Sequence, residues 1–195
     1  MQATSDDRTL MDGIAAGDAA AFQELYDRHA AQVFALCRRI LKHGPEAEDV
    51  LGEIFWEVWE RADRYSAARG TPAAYLATLA RSRAIDRLRR RRREGVNLDL
   101  EAVQDVATAP ATAAGGGPYV EAASSEQRTQ IRRAMAGLSE AECQAVEMSF
   151  FDGLSHAEIA SALSEPLGTI KSRIRQGLLR LRDALSNEYG TMGTA

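Results

Sequence analysis

Cysteine is scarce in this 195-residue chain: its two thiols exclude a disulfide scaffold and a four-thiolate zinc site. Long apolar runs are missing as well, and none approaches the ~20 residues of a membrane-spanning helix. The three histidines, His29, His43 and His156, show no metal-ligand spacing, so neither a metal nor another cofactor is expected. The opening residues, Met-Gln-Ala-Thr-Ser-Asp-Asp, lack the basic-then-apolar order of a signal peptide, which points to a cytoplasmic protein without stable membrane insertion. What is present is ordinary for a globular chain, 45% hydrophobic and 27% charged. At ~100–200 residues per domain that makes one large domain or two small ones.

The net charge of −4 conceals strong segregation. Glu46 to Glu60 holds six acids and no base, and Arg81 to Arg93 holds eight arginines and one aspartate. Glu94 to Gln127 holds six acids and no base; Lys171 to Arg182 holds five bases and no acid. A nearly neutral sum of strong blocks predicts several different partner surfaces on one chain.

Periodicity reads helical almost throughout. Leu10, Met11 and Ile14 mark a short first helix. Phe22, Leu25, Tyr26, His29, Val33, Leu36, Cys37 and Ile40 mark a long second one reaching about His43. Gly44-Pro45 breaks it and starts a third, whose apolar stripe is Val50, Leu51, Ile54, Phe55, Val58 and Trp59. Asp63 to Gly70 reads as a loop, and Thr71-Pro72 as the cap and first position of a fourth helix. Val96 to Ser124 is poor in large apolar residues and rich in breakers, a flexible linker. Helices resume near Ser125, and Ser139-x-x-Glu142 and Ser155-x-x-Glu158 are capping boxes. Asp152-Gly153 is a turn signal, and the last helix runs to about Leu185, with Asn187 onwards frayed.

A short helix from Ser155 to Leu163, a tight turn through Ser164-Glu165-Pro166 and a longer basic helix make helix-turn-helix grammar. Ala160 suits its packed interior. Lys171, Arg173 and Arg175 sit near the end of the second helix that enters a major groove. On a helical wheel Asp49, Glu53, Trp56 and Glu60 fall within about 60° of one another, opposite the buried stripe. Carboxylates alone read as a solvated face; a tryptophan among them reads as an interface anchor. Eight arginines in thirteen residues repel one another unless a polyanion compensates them, which favours nucleic acid over a solvated helix end. Cys37 lies on an apolar stripe and reads as core; Cys143 follows a capping box and reads as partly exposed.

The run Gly153-Leu154-Ser155-His156-Ala157-Glu158-Ile159-Ala160, followed by Pro166-Leu167-Gly168-Thr169-Ile170-Lys171-Ser172-Arg173, resembles region 4 of bacterial RNA polymerase sigma factors. Ala47-Glu48-Asp49-Val50 through Phe55-Trp56-Glu57-Val58-Trp59, with Ala84-Ile85-Asp86-Arg87-Leu88-Arg89, resembles their region 2. Two such segments with a short linker are similar to the extracytoplasmic-function (ECF) subfamily of the sigma-70 family. The sequence departs from the common pattern at Tyr75-Leu76, where many members carry Trp-Leu, and at Ser82, where many carry Asn; serine has the shorter reach.

The resemblance implies an all-α chain of two small helical domains: residues 8–95 as region 2, an acidic linker over 96–124, and residues 125–187 as region 4. It implies a non-enzymatic initiation factor that binds core RNA polymerase, through the β′ clamp helices and the β subunit, and is held by an anti-sigma factor. Asp49, Glu53, Trp56 and Glu60 would face core polymerase. Tyr65, Tyr75, Ser82, Arg83, Arg87, Arg90 and Arg91 would meet the −10 element and help melt it, with Arg90 to Arg93 mainly on phosphates. Thr169, Lys171, Ser172, Arg173, Arg175 and Gln176 would read duplex at −35. Two rivals remain from the residues alone: a stand-alone helix-turn-helix regulator, and a divalent-ion nuclease built on Glu46, Glu48, Asp49 and Glu53.

Overall fold

A computed structural model describes residues 6–95 and 133–190, all of its regular structure helical. The expected linker, and the start of the second domain over 125–132, lie outside the described residues. The helices fall into two compact units.

The first unit contains α1 (Asp7–Ala15), α2 (Ala19–Leu41), α3 (Gly44–Glu60) and α4 (Pro72–Glu94). Each start has a visible cause. Asp18 caps α2, its Oδ1 accepting from the Ala20 and Ala21 amides at 2.8 and 3.3 Å. The His43 ring caps α3, Nδ1 accepting from the Glu46 amide at 3.3 Å, with Pro45 in the first turn. Thr71 caps α4 and Pro72 opens it. These side chains satisfy amides that the first helical turn leaves without a partner. Lys42, at φ 55°, turns the chain sharply between α2 and α3.

α2 packs against α1, α3 and α4. Leu25, Cys37 and Leu41 of α2, Val50, Ile54 and Val58 of α3 and Leu76 of α4 are fully or almost fully buried, each large one contributing roughly 1.5–3 kcal/mol. Ala80 and Ala84, one turn apart on α4, are also fully buried; their small side chains let the neighbouring helix approach. Phe55 is met edge-on by Phe22 and Tyr26, with centroids 6.2 and 4.7 Å away, and Trp59 joins them 5.4 Å from Phe22. Asp7 ties α1 to α2 through Arg28 and His29, both at 2.8 Å. The segment expected as a loop over 63–70 contains two 3-10 turns, Ala62–Arg64 and Ala67–Arg69.

The second unit contains a helical stretch over 133–136, then α5 (Glu140–Phe150), α6 (His156–Leu163) and α7 (Leu167–Gly190). Both expected capping boxes form. Ala145, Ile159, Ile170 and Ile174 make the core, with Leu154, Ala160 and Leu163 packed on it. Ser164, at φ 54°, closes the turn after α6, and the Glu165 amide returns to the Ala160 carbonyl at 3.0 Å. Pro166 lies just before α7, its carbonyl accepting from the Ile170 amide at 3.2 Å. α7 continues to Gly190, past the frayed end expected after Asn187. α7 crosses α5 at Gly177, where an added Cβ would lie 2.9 Å from Val146 Cγ2.

Candidate partner-binding and nucleic-acid faces

Trp56 is 62% exposed, although Phe55 beside it is buried and Trp59, three residues on, is packed into the aromatic cluster. Asp49, Glu53 and Glu60 are exposed on the same side of α3, as the wheel predicts. A large aromatic thus stands exposed among carboxylates, off its own core.

Within the arginine block of α4, three side chains are engaged by α3. Arg83, Arg87 and Arg91, four residues apart and so on one face, turn toward α3. Arg87 reaches Glu53 at 2.5 Å and Asp49 at 4.0 Å. Arg91 reaches Glu46 at 3.0 Å and also donates to the Leu41 carbonyl at the end of α2, at 3.2 Å. Arg83 meets Glu57 through Nε at 3.0 Å and through Nη2. Proximity to that carboxylate raises the Arg83 pKa further. In this ladder the Arg91 guanidinium is thus engaged inside the unit by an acid and a carbonyl. Arg90, Arg92 and Arg93 are exposed. Ser82 is exposed as well. The ladder also weighs against the nuclease arrangement, since Glu46 and Glu53 are turned to arginines; among the described residues no group of three or more His, Cys, Asp or Glu side chains is placed to hold a metal ion.

Tyr65 and Tyr75 come together, ring centroids 5.7 Å apart. The Tyr65 hydroxyl donates to the Gly70 carbonyl at 3.0 Å, closing the loop on itself; Gly70, at φ 142°, uses backbone that glycine alone adopts readily. The Tyr75 hydroxyl is buried with no hydrogen-bond partner, alone in this among the described residues. Burial, then the charge of Glu57, pushes its pKa up. The aromatic pair thus lies at the loop that leads into the arginine-bearing helix.

In the second unit Lys171, Ser172, Arg175 and Gln176 are exposed over the first turns of α7, while Thr169 and Arg173 are half-buried. Arg173 pairs with Glu165 at 2.9 Å. That pair links the turn after α6 to the first turns of the basic helix. Glu142 is buried beside its capping partner Ser139 and also meets Arg180 of α7 at 2.6 Å. Hydrogen bonds from the Ser139 amide and hydroxyl, then the Arg180 charge, lower its pKa. Cys37 is fully buried and its thiol is pushed up to about 11 by that burial; Cys143 is half-buried and raised for the same reason. Neither thiol is set up as a reactive thiolate.

Residues 25–94 match the family model Sigma-70 region 2, and residues 128–181 match Sigma-70, region 4. The chain is 35% identical over 190 residues to the ECF RNA polymerase sigma factor SigK of Mycobacterium ulcerans, covering 93% of this chain and 95% of that one. It is 32% identical over 192 residues to SigK of Mycobacterium tuberculosis H37Rv, with the same coverages. Among solved structures it is similar to Rhodobacter sphaeroides SigE in complex with the anti-sigma ChrR: 29% identity, TM-score 0.46, covering 93% of this chain and 99% of that one.

Proposed function

The chain belongs to the sigma-70 family, in its extracytoplasmic-function branch, and from that premise we propose how its residues divide the work of initiation. The protein binds core RNA polymerase and directs it to promoters carrying matched −35 and −10 elements. It performs no chemistry itself; the polymerase makes the phosphodiester bonds. Region 2, residues 8–95, docks on the β′ clamp helices through the Trp56 face of α3 and meets the −10 element with α4 and the Tyr65–Tyr75 loop. Region 4, residues 125–187, lays α7 in the −35 major groove beside the β subunit, and residues 96–124 join the two. Lys171 and Arg175 suit guanine O6 and N7; Arg90, Arg92 and Arg93 suit phosphates. An anti-sigma factor holds the protein inactive. No helix among the described residues is long and apolar enough to cross a membrane, and the polymerase places its work in the cytoplasm.

The observation that carries this reading is the exposure of Trp56 within a carboxylate face on a helix that buries Val50, Ile54, Phe55 and Val58 on its opposite side. The stand-alone regulator reading gives that face nothing to do and leaves region 2 unexplained. The test is core binding. Core polymerase titrated with labelled Trp56→Ala protein should bind at least ten-fold more weakly than with the parent, and Glu53→Lys should weaken binding likewise. Unchanged affinity in both variants would remove α3 from the interface.

A further inference from the structure

Glu57 lies next to Trp56 in sequence, yet its side chain is turned inward and only 12% exposed. Oε1 accepts from Arg64 Nη1 at 3.4 Å, in the turn that leads to Tyr65. Oε2 accepts from Arg83 Nε at 3.0 Å, on α4. The Glu57 backbone carbonyl accepts from the Arg61 amide at 2.9 Å. One residue at the end of α3 thus holds the start of the 61–70 loop by main chain and side chain, and the DNA-facing helix by side chain. On the far side of that loop Tyr65 closes on Gly70 and leans on Tyr75. The Tyr75 hydroxyl is buried without a partner, so its hydrogen bonding does nothing to hold the loop down. Glu57 adds one charged contact to the loop, through Arg64, and one to α4, through Arg83.

We propose that Glu57 is a positioning residue for promoter opening: it fixes the 61–70 loop, with its tyrosine pair, against α4 before DNA arrives. The inference rests on the reading that this loop and α4 meet the −10 strand. A base leaving the duplex is captured best by aromatics already in place; a loop that must first be ordered adds its ordering cost to capture. If loss of Glu57 lowers the population of the held pose to about a tenth, affinity for the unpaired −10 strand falls about tenfold. Contacts to core polymerase and to −35 duplex are untouched.

The test uses holoenzyme carrying Glu57→Gln, Arg64→Met or Tyr65→Ala, with promoters drawn from a randomised library by the parent holoenzyme. Binding of the single-stranded −10 oligonucleotide, its base preference, and opening of duplex promoter (2-aminopurine fluorescence) are measured beside core affinity. Glu57→Gln should weaken single-strand binding about tenfold, flatten its base preference and slow opening, with core affinity within about two-fold. Arg64→Met, at an exposed site, should shift the same readouts in the same direction even if Glu57→Gln folds poorly. Tyr65→Ala impaired with Glu57→Gln and Arg64→Met both at parental values would overturn the role of Glu57 alone. All three at parental values would overturn the reading of the loop as well.

Discussion

Gly52 and Gly177 allow one substitution to be tried in two settings with opposite expected signs. Both lie inside helices, where alanine is preferred over glycine by about 0.8–1.0 kcal/mol. A Cβ at Gly52 meets nothing within 4 Å, whereas one at Gly177 lies 2.9 Å from Val146 Cγ2, 3.4 Å from Leu138 Cδ2 and 3.6 Å from Glu142 Cβ. Gly52→Ala should therefore stabilise the first unit by nearly the full propensity difference, raising its melting temperature by about 4–8 °C per kcal/mol. At Gly177 the same gain is opposed by forcing α5 and α7 apart, an overpacking cost of about 1–3 kcal/mol. The net is a loss of about 1 kcal/mol for alanine and more for valine, whose extra methyls must also displace Leu138 or Glu142. The assay separates the units without cutting the chain. Both tryptophans, Trp56 and Trp59, lie in the first unit, so fluorescence in urea reports that unit, and amide exchange along α5 reports the other. Gly177→Ala stabilising its unit as much as Gly52→Ala stabilises the first would refute the close crossing that sets the pose of α7.

Trp56→Ala should change the stability of the first unit by less than about 1 kcal/mol, measured by thermal melting, while costing about 2 kcal/mol or more in core binding. Arg175→Ala should cost about 1–3 kcal/mol at one or two −35 positions and relax preference there, measured with holoenzyme on −35 point variants; a uniform loss with preferences intact would make it a phosphate contact. Arg91→Ala should act on folding, lowering stability by about 1–3 kcal/mol because Glu46 and the Leu41 carbonyl lose their donor, read as a lower urea midpoint with little change in the salt slope of promoter binding. Glu142 has a folded pKa depressed below its unfolded value, so its contribution is complete above the unfolded carboxylate range and is lost as pH falls through the folded value. The second unit should lose more stability between pH 5 and 3 than its Glu142→Gln variant does, followed by circular dichroism melts.

Local signals in the sequence were strong where a single helix decides the outcome. The α3 stripe, the outward Trp56 and both capping boxes depend on helical spacing and on hydrogen bonds three residues apart, so they can be read one segment at a time. The ladder between α3 and α4 depends on which helices are neighbours. Its signal was present in arginines at 83, 87 and 91 opposite an acid block of nearly equal and opposite charge, yet without the crossing that block reads as a surface waiting for a polyanion. The same limit applies to Arg173: its four-residue neighbours suggest a groove contact, and only the turn at Ser164 brings Glu165 back to it. Glu57 escaped notice because it sits amid the acids assigned to the outer face, while its inward direction is set by where the 61–70 loop returns. His43 read only as a histidine without metal-ligand spacing, although proline two residues on was a hint that a cap stood there.

The central claim is that this chain gives core polymerase its promoter choice. Transcription by reconstituted holoenzyme on a library randomised across both elements tests it most directly, with transcripts sequenced to recover the templates used. Enrichment of paired −35 and −10 sequences, absent without the chain and lost with Trp56→Ala at limiting concentration, is the predicted result. No initiation above core polymerase alone, alongside tight promoter binding by the isolated chain at physiological salt, would contradict it.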